Sequence, residues 1–477
     1  MVFNSWLYFV FFATVVALYI QMRRPAQNMM LLVAGCIFYG WWDWRFLFLV
    51  AFSTVIDFWA ALKMEETTDE RRRWRLLMLS VVSNFTILGF FKYFNFFADS
   101  LREALDGLGF NPGGMYLDII LPVGISFYTF HALSYTIDVY RRDLPATRSF
   151  RDFALFVMFF PQLVAGPIGR ATHQLPQFLR DRRITLPAVK EGAWLILWGL
   201  FKKVCVADNL ALLADQNFGR SAELNAPAAY LTVVVFAFQI YCDFSAYTDI
   251  ARGSAKILGI ELLKNFRRPY IATDPQDFWR RWHISLSSWL RDYLYVPLGG
   301  SRFGRWLTYR NLMITMVLGG LWHGAAWNFV WWGVFHGALL VGFHAWSQWC
   351  DRPRMPRPVA IAVMFQFTLF GWLLFRCTRR VLQNGVWVDQ SFPHIIEFLT
   401  APARGFAWGP DAMALTMALA LFVLPLLAIE WFMDPDREDR GFLDRPAWAP
   451  TLVHAAIAFF VVRYGMQNAN TFIYFQF

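Results

Sequence analysis

Apolar runs long enough to cross a lipid bilayer recur along this chain, and no other feature of the sequence constrains its fold as much. They fall near 5–21, 29–42, 46–62, 76–98, 115–137, 153–168, 193–211, 228–242, 311–346, 357–375, 411–432 and 449–465. A helix needs about 20 apolar residues to span the hydrocarbon core. The run at 311–346 has room for two spans, whereas 153–168 and the stretch around 284–298 are short or broken and read as re-entrant or interfacial. The expected fold is therefore all-α: a polytopic membrane protein of roughly ten to twelve membrane helices plus short re-entrant or interfacial helices, in one domain over 1–477.

Composition agrees. Hydrophobic residues make up 57% of the chain and charged residues only 16%, against about a quarter in soluble proteins, so the surplus apolar surface needs lipid. The 50 Phe and 23 Trp suit both bundle interiors and headgroup-level belts. Trp6 to Ile20 is apolar from its first residue, without a basic leader or a small-residue cleavage site before Arg23, and reads as a retained helix, not a signal peptide. The net charge of +10 lies in short loops between apolar runs, a topological pattern that gives no reason to invoke nucleic acid. Arg23 and Arg24 follow the first run, and Lys63, Arg71, Arg72, Arg73 and Arg75 follow the third. The positive-inside rule then puts the amino terminus outside, 99–114 outside and Arg141 to Arg151 inside. Cys36, Cys205, Cys242, Cys350 and Cys377 are scattered with no CxxC pair, so neither a disulfide framework nor a zinc or other metal site is expected.

Ionisable residues within apolar runs are costly and point to function by default; here they concentrate between 239 and 337. Val233 to Cys242 runs into Asp243-Phe-Ser-Ala-Tyr-Thr-Asp249, two carboxylates and three hydroxyls where a helix meets or remains in the membrane. On a helix Asp243 and Tyr247 share a face; the same segment also reads as an interfacial turn with satisfied polar groups. Further on, Asp277-Phe-Trp-Arg-Arg-Trp-His283-Ile-Ser-Leu-Ser-Ser-Trp-Leu-Arg-Asp292, if helical, aligns Arg280, His283 and Ser287 on one face. Its mixture of basic and aromatic residues suits binding of phosphate-bearing or lipidic groups, or a plain interfacial anchor.

The sharpest candidate is His323, in Leu318-Gly-Gly-Leu-Trp-His323-Gly-Ala-Ala-Trp327. Small residues on either side let a neighbouring helix or a narrow ligand approach the backbone, and His336 follows in the next run. A buried histidine can simply hold two helices together, but three histidines in one short region favour chemistry. Burial keeps imidazole neutral and able to accept a proton, and a hydroxyl becomes a good nucleophile only when a base takes its proton. His283 could hold a second substrate group or stabilise an oxyanion if folding brings it near His323; forty residues separate them, so spacing alone does not establish contact. The signatures of GxSxG hydrolases, HExxH proteases, P-loops and GxGxxG folds are missing.

The ordered set Phe160-Pro-Gln-Leu-Val-Ala-Gly-Pro-Ile168, Asp243-Phe-Ser-Ala-Tyr-Thr-Asp249, Asn265-Phe-Arg-Arg-Pro-Tyr270, Phe278-Trp-Arg-Arg-Trp-His-Ile-Ser-Leu-Ser287, Arg291-Asp-Tyr-Leu-Tyr295, Gly319-Gly-Leu-Trp-His-Gly-Ala325 and Phe472-Ile-Tyr-Phe-Gln-Phe477 resembles the membrane-bound O-acyltransferase family. The likeness is to its bacterial branch of alginate O-acetylation membrane proteins and the related teichoic acid D-alanyl transfer proteins. It runs along nearly the whole chain, is strongest over 241–337, and implies a catalytic core of approximately 241–350.

The resemblance implies that His323 is the catalytic residue and that His283 lies in the same core, within a bundle around a central tunnel. Arg280, Trp282 and Trp322 are candidates for binding the donor. The resemblance further implies acetyl-CoA as cytoplasmic acyl donor and an extracytoplasmic acetyltransferase with a serine nucleophile as partner. The setting it implies is a polysaccharide synthesis and export complex at the bacterial inner membrane, in contact with membrane lipid. The acetylated polymer would be alginate- or cellulose-like. Competing readings are a transporter or flippase for a polysaccharide precursor or lipid, a D-alanyl transfer protein, and a scaffold whose histidines only join helices.

Overall fold

The protein is described here from a computed structural model, which covers residues 1–110, 117–164, 166–349, 355–378, 380–383, 386–434, 437, 440–442, 444–446 and 448–465. Cys350 and the terminal Phe472 to Phe477 motif lie outside the described residues. The architecture is a bundle of helices; the non-helical element among the described residues is a two-stranded antiparallel hairpin, Arg380–Gln383 with Val386–Asp389, Arg380 opposite Asp389.

The expectation of ten to twelve membrane helices is corrected. Among the described residues six helices are long and apolar enough to cross a membrane: Phe46–Glu65, Glu70–Gly107, Ala226–Ile257, Trp327–Ser347, Arg357–Arg376 and Pro410–Phe432. The apolar runs at the two ends form shorter helices, Trp6–Tyr19 and Trp448–Tyr464. An apolar run registers composition, whereas a span needs about 20 residues in one continuous helix. The run at 115–137 yields a helix only over Ile125–Arg141. That at 153–168 breaks at Phe159 into Phe150–Met158 and Phe160–Leu163, a split imposed by extended backbone at Phe159. The segment 99–114, expected to be an external loop, is helical through Gly107, and 111–116 lies outside the described residues.

Ala226–Ile257 is the axis of the bundle: 83% of its apolar window is buried, against 28–44% for the other five, whose remaining surface is left for lipid. Close approach to it is built from glycine. A Cβ on Gly199 would stand 2.8 Å from the Ala246 carbonyl oxygen, and one on Gly253 only 2.5 Å from that of Gly192.

The basic loops gather at one end of the bundle. Arg142 pairs with Glu70, Arg73 donates to the carbonyls of Val139 (3.0 Å) and Tyr140 (2.9 Å), and Arg151 donates to that of Pro25 (3.4 Å). Helices leaving this end carry Phe38, Tyr39 and Lys92 towards the opposite one. At 1.5 Å per residue, Lys92 lies about 33 Å along its helix from Glu70.

Candidate active site

The helix Arg305–His323 ends at His323, where Gly324 turns to extended backbone (φ −158°, ψ 153°). The next helix, Trp327–Trp349, packs back against it with almost no side chain between them. A Cβ on Gly320 would lie 2.2 Å from the Phe329 carbonyl oxygen, one on Gly333 would lie 2.5 Å from that of Met316, and one on Gly324 would enter the Phe329 ring. The small residues around His323 therefore serve the close helix approach that the sequence suggests.

His283 reaches the same place by another route. The helix expected to align Arg280, His283 and Ser287 is corrected: Pro275–Arg281 stops at Trp282, and a new helix begins at Ile284. Between them His283 adopts left-handed backbone (φ 43°, ψ 54°), an uncommon conformation for a non-glycine residue that tends to persist where surrounding structure enforces it. The enforcement is visible. Asn265 accepts from the backbone of Ile284 through its carbonyl (2.9 Å) and from that of Ser285 through its side chain (3.3 Å), and Ser285 Oγ in turn accepts from Ile168 N (2.9 Å). Three of the sequence motifs thus meet at this one break.

The break brings the two histidines together, with ring centroids 6.3 Å apart. Trp322 stands edge-on to both, 5.0 Å from His323 and 5.9 Å from His283; Trp332 and Phe375 close the far side of His323 at 5.0 and 5.4 Å. His283 is fully buried, and neither of its ring nitrogens has a hydrogen-bond partner among the described residues. Burial disfavours the charged imidazolium, and a neutral ring has one nitrogen to donate and one to accept. His336 lies one aromatic layer away, 4.6 Å from Trp332 and 5.2 Å from Trp279.

A cavity of about 440 Å³ reaches His323. Its wall includes Met1, Tyr39, Gly124, Ser126, Val164 and Trp322. These residues place it towards the end of the bundle away from the basic loops. A second cavity of about 640 Å³, almost wholly apolar, runs along Leu77, Leu133, Tyr293 and Leu318 and shares Trp322 as a wall with the first.

The remaining candidates divide. Trp322 is in contact with both histidines, whereas Trp282 is core: it packs on Trp372 (4.6 Å) and Phe266 (4.9 Å). Arg280 is exposed. The interfacial-turn reading of Asp243 to Asp249 is corrected, because both carboxylates are buried inside the axial helix Ala226–Ile257. Lys203 pairs there with Asp243 (2.7 Å) and Asp208 (2.9 Å) and lies over the Tyr247 ring, while Lys202 pairs with Asp249 and donates to Ser245 (2.9 Å). Asp243 and Tyr247 do share a face. Sequence reasoning missed Lys92, a cation within the run 76–98 whose Nζ reaches the carbonyls of Trp322 and His323 and which lines the His323 cavity; an ionisable residue inside an apolar run was the available signal. Among the described residues no group of three or more His, Cys, Asp or Glu is arranged to hold a metal.

The site is thus a buried histidine pair inside a helical membrane bundle, one member of which, His323, lines a cavity, and comparison with known proteins gives the class. The chain belongs to the membrane-bound O-acyltransferase family, whose model matches residues 139–380 and so takes in both histidines. It is 43% identical over 380 residues to a protein of Azotobacter vinelandii described as "Probable alginate O-acetylase AlgI", covering 79% of this chain and 75% of that one. A protein of Pseudomonas aeruginosa with the same description is 42% identical over 385 residues, covering 79% and 72%. The "Peptidoglycan O-acetyltransferase" of Helicobacter pylori is 37% identical over 374 residues, covering 72% and 70%. The protein is thus a multi-pass membrane acyltransferase, and the transporter and scaffold readings fall away.

Proposed function

We propose that this chain, a single domain over 1–477 with its catalytic core at approximately 241–350, takes an acetyl group from cytoplasmic acetyl-CoA at the bacterial inner membrane. It passes the group outward for O-acetylation of an exported polysaccharide, alginate- or cellulose-like. An extracytoplasmic acetyltransferase with a serine nucleophile, held in the polysaccharide synthesis and export complex, completes the transfer. The observation that carries this reading is the His323 ring at the inner end of the 440 Å³ cavity, 6.3 Å from the His283 ring. The three relatives named above are all described as O-acetylating proteins, which favours acetyl over D-alanyl.

His323 accepts the proton of the acceptor hydroxyl as that oxygen bonds to the thioester carbonyl carbon, and the proton passes to the departing sulfur when the C–S bond breaks. His283, neutral and with open ring nitrogens, donates a hydrogen bond to the oxygen that gains charge in between. Trp322 forms the wall against which the small acyl group lies. With the basic loops on the cytoplasmic side, the amino terminus and the mouth of the cavity are extracytoplasmic.

The reading is tested in proteoliposomes sorted for orientation, with radiolabelled acetyl-CoA supplied only at the face bearing the basic loops, and with polysaccharide and partner acetyltransferase only at the other. Label is expected on the acceptor side, lost in His323→Ala. Label that stays with the donor compartment, or transfer indifferent to His323, contradicts it.

A further inference from the structure

The last four carbonyls of a helix lack intrahelical partners, and the helix that ends in His323 has three of them met by side chains from a single turn. Tyr93 Oη donates to the Leu321 carbonyl (2.7 Å), and Lys92 Nζ donates to those of Trp322 and His323 (3.3 Å for the latter). Both residues lie in the π-helical turn Gly89–Tyr93, inside the membrane helix Glu70–Gly107. On a regular α-helix adjacent side chains diverge by about 100°. A π-turn rearranges that spacing and is often found at functional sites; here it brings two neighbours onto one helix end.

The ammonium group has three protons to donate. Two are spent on the carbonyls of Trp322 and His323, and Ser126 Oγ, at 3.2 Å, takes the third. Nothing is left over for an oxyanion, although Lys92 and His323 line the same cavity. The Lys92 amine also sits at the negative end of the helix dipole, where a cation is favoured. We infer that Lys92, with Tyr93, is a positioning residue for acyl transfer: the pair locks the terminal carbonyls of the Arg305–His323 helix and so fixes the His323 ring at the foot of the cavity. The inference rests on the proposed role of His323.

The test measures acetyl transfer by the purified full-length protein in nanodiscs for wild type, Lys92→Met, Lys92→Arg, Tyr93→Phe and His323→Ala. A misplaced catalytic group slows turnover without weakening donor binding, so Lys92→Met is expected to lower kcat roughly 100-fold while KM for acetyl-CoA changes by less than about threefold. Lys92→Arg, which keeps charge and donors, is expected to recover at least about tenfold of that loss, and Tyr93→Phe, which loses one cap, to fall about tenfold.

Wild-type kcat in Lys92→Met, a rise confined to KM, or no recovery in Lys92→Arg overturns the inference. Should Lys92→Met not fold, Tyr93→Phe decides: reduced kcat with unchanged KM supports the inference, and wild-type kcat overturns it. If only His323→Ala loses activity, this inference alone is sunk. If His323→Ala turns over like wild type, the acyl-transfer reading falls first.

Discussion

Two clusters of polar side chains lie inside this bundle, and they differ in how their hydrogen-bonding capacity is used. In the axial helix, Asp243 and Asp249 are matched by Lys203 and Lys202, with Asp208, Arg252 and Ser245 adding further partners. Around His323 the neighbours are aromatic rings, and His283 has both ring nitrogens unengaged among the described residues. Charges that compensate one another hold helices together and have little left to offer a ligand. The imidazole with open nitrogens, His283, lies 6.3 Å from the ring of His323, which lines the cavity. The two clusters share an address in the sequence, since both lie in polar segments of apolar runs, yet chemistry is proposed only for the second.

The largest effect separating the clusters is expected from Lys203→Ala. Removing one partner of a buried ion pair leaves the others uncompensated and costs about 3–5 kcal/mol, which should appear as a marked fall in melting temperature, while acetyl transfer per folded molecule stays near wild type. Equal loss of activity per folded molecule would erase the distinction drawn here. A smaller change, of the opposite kind, is expected from His283→Ala: acetyl transfer reduced about 10²-fold, as for the loss of one oxyanion donor, with melting temperature kept. Because His283 is held in left-handed backbone by Asn265, His283→Asn, a residue that tolerates that conformation, serves as the control for strain.

The smallest effect belongs to the surface near the short helix that follows His283. Burial raises the Asp292 carboxyl pKa, but hydrogen bonds from Arg291 and Arg170 and their charges outweigh it and hold the group below the ordinary carboxylate range. A depressed carboxylate stabilises the fold above its unfolded pKa, and that contribution disappears as pH falls through the folded value. Asp292→Asn should therefore cost no more than about 1 kcal/mol near neutral pH, and its melting temperature should converge on wild type as the medium is made more acidic than pH 4. A difference that persisted there would mean Asp292 acts other than by charge.

The membrane setting, the acyltransferase likeness and the close helix approach beside His323 are legible in the sequence because each is written locally, in run length, in ordered motifs and in the glycines next to the histidine. The number of spans is not. Whether an apolar run continues as one helix depends on breaks such as Phe159, which no hydropathy pattern marks. Nor is the meeting of His283 with His323, since it depends on a left-handed residue pinned from Asn265, eighteen positions upstream. The lysines at 92, 202 and 203 lie within apolar runs, a signal that sequence reasoning passed over. Their opposite fates, helix capping for one and ion pairing for the others, are decided by what lies across the bundle.

The central claim is that the imidazole of His323 performs chemistry, whereas the buried ion pairs only support the fold. Its most direct test measures single-turnover acetyl transfer and thermal melting for His323→Ala and Lys203→Ala in identical nanodiscs. Transfer should drop by about 10²–10⁴-fold, the range for loss of a general base, at unchanged melting temperature in the first, and melting temperature should drop at near-native transfer per folded molecule in the second. Native transfer by His323→Ala, or a loss of its activity that merely tracks a loss of folded protein, would contradict the account.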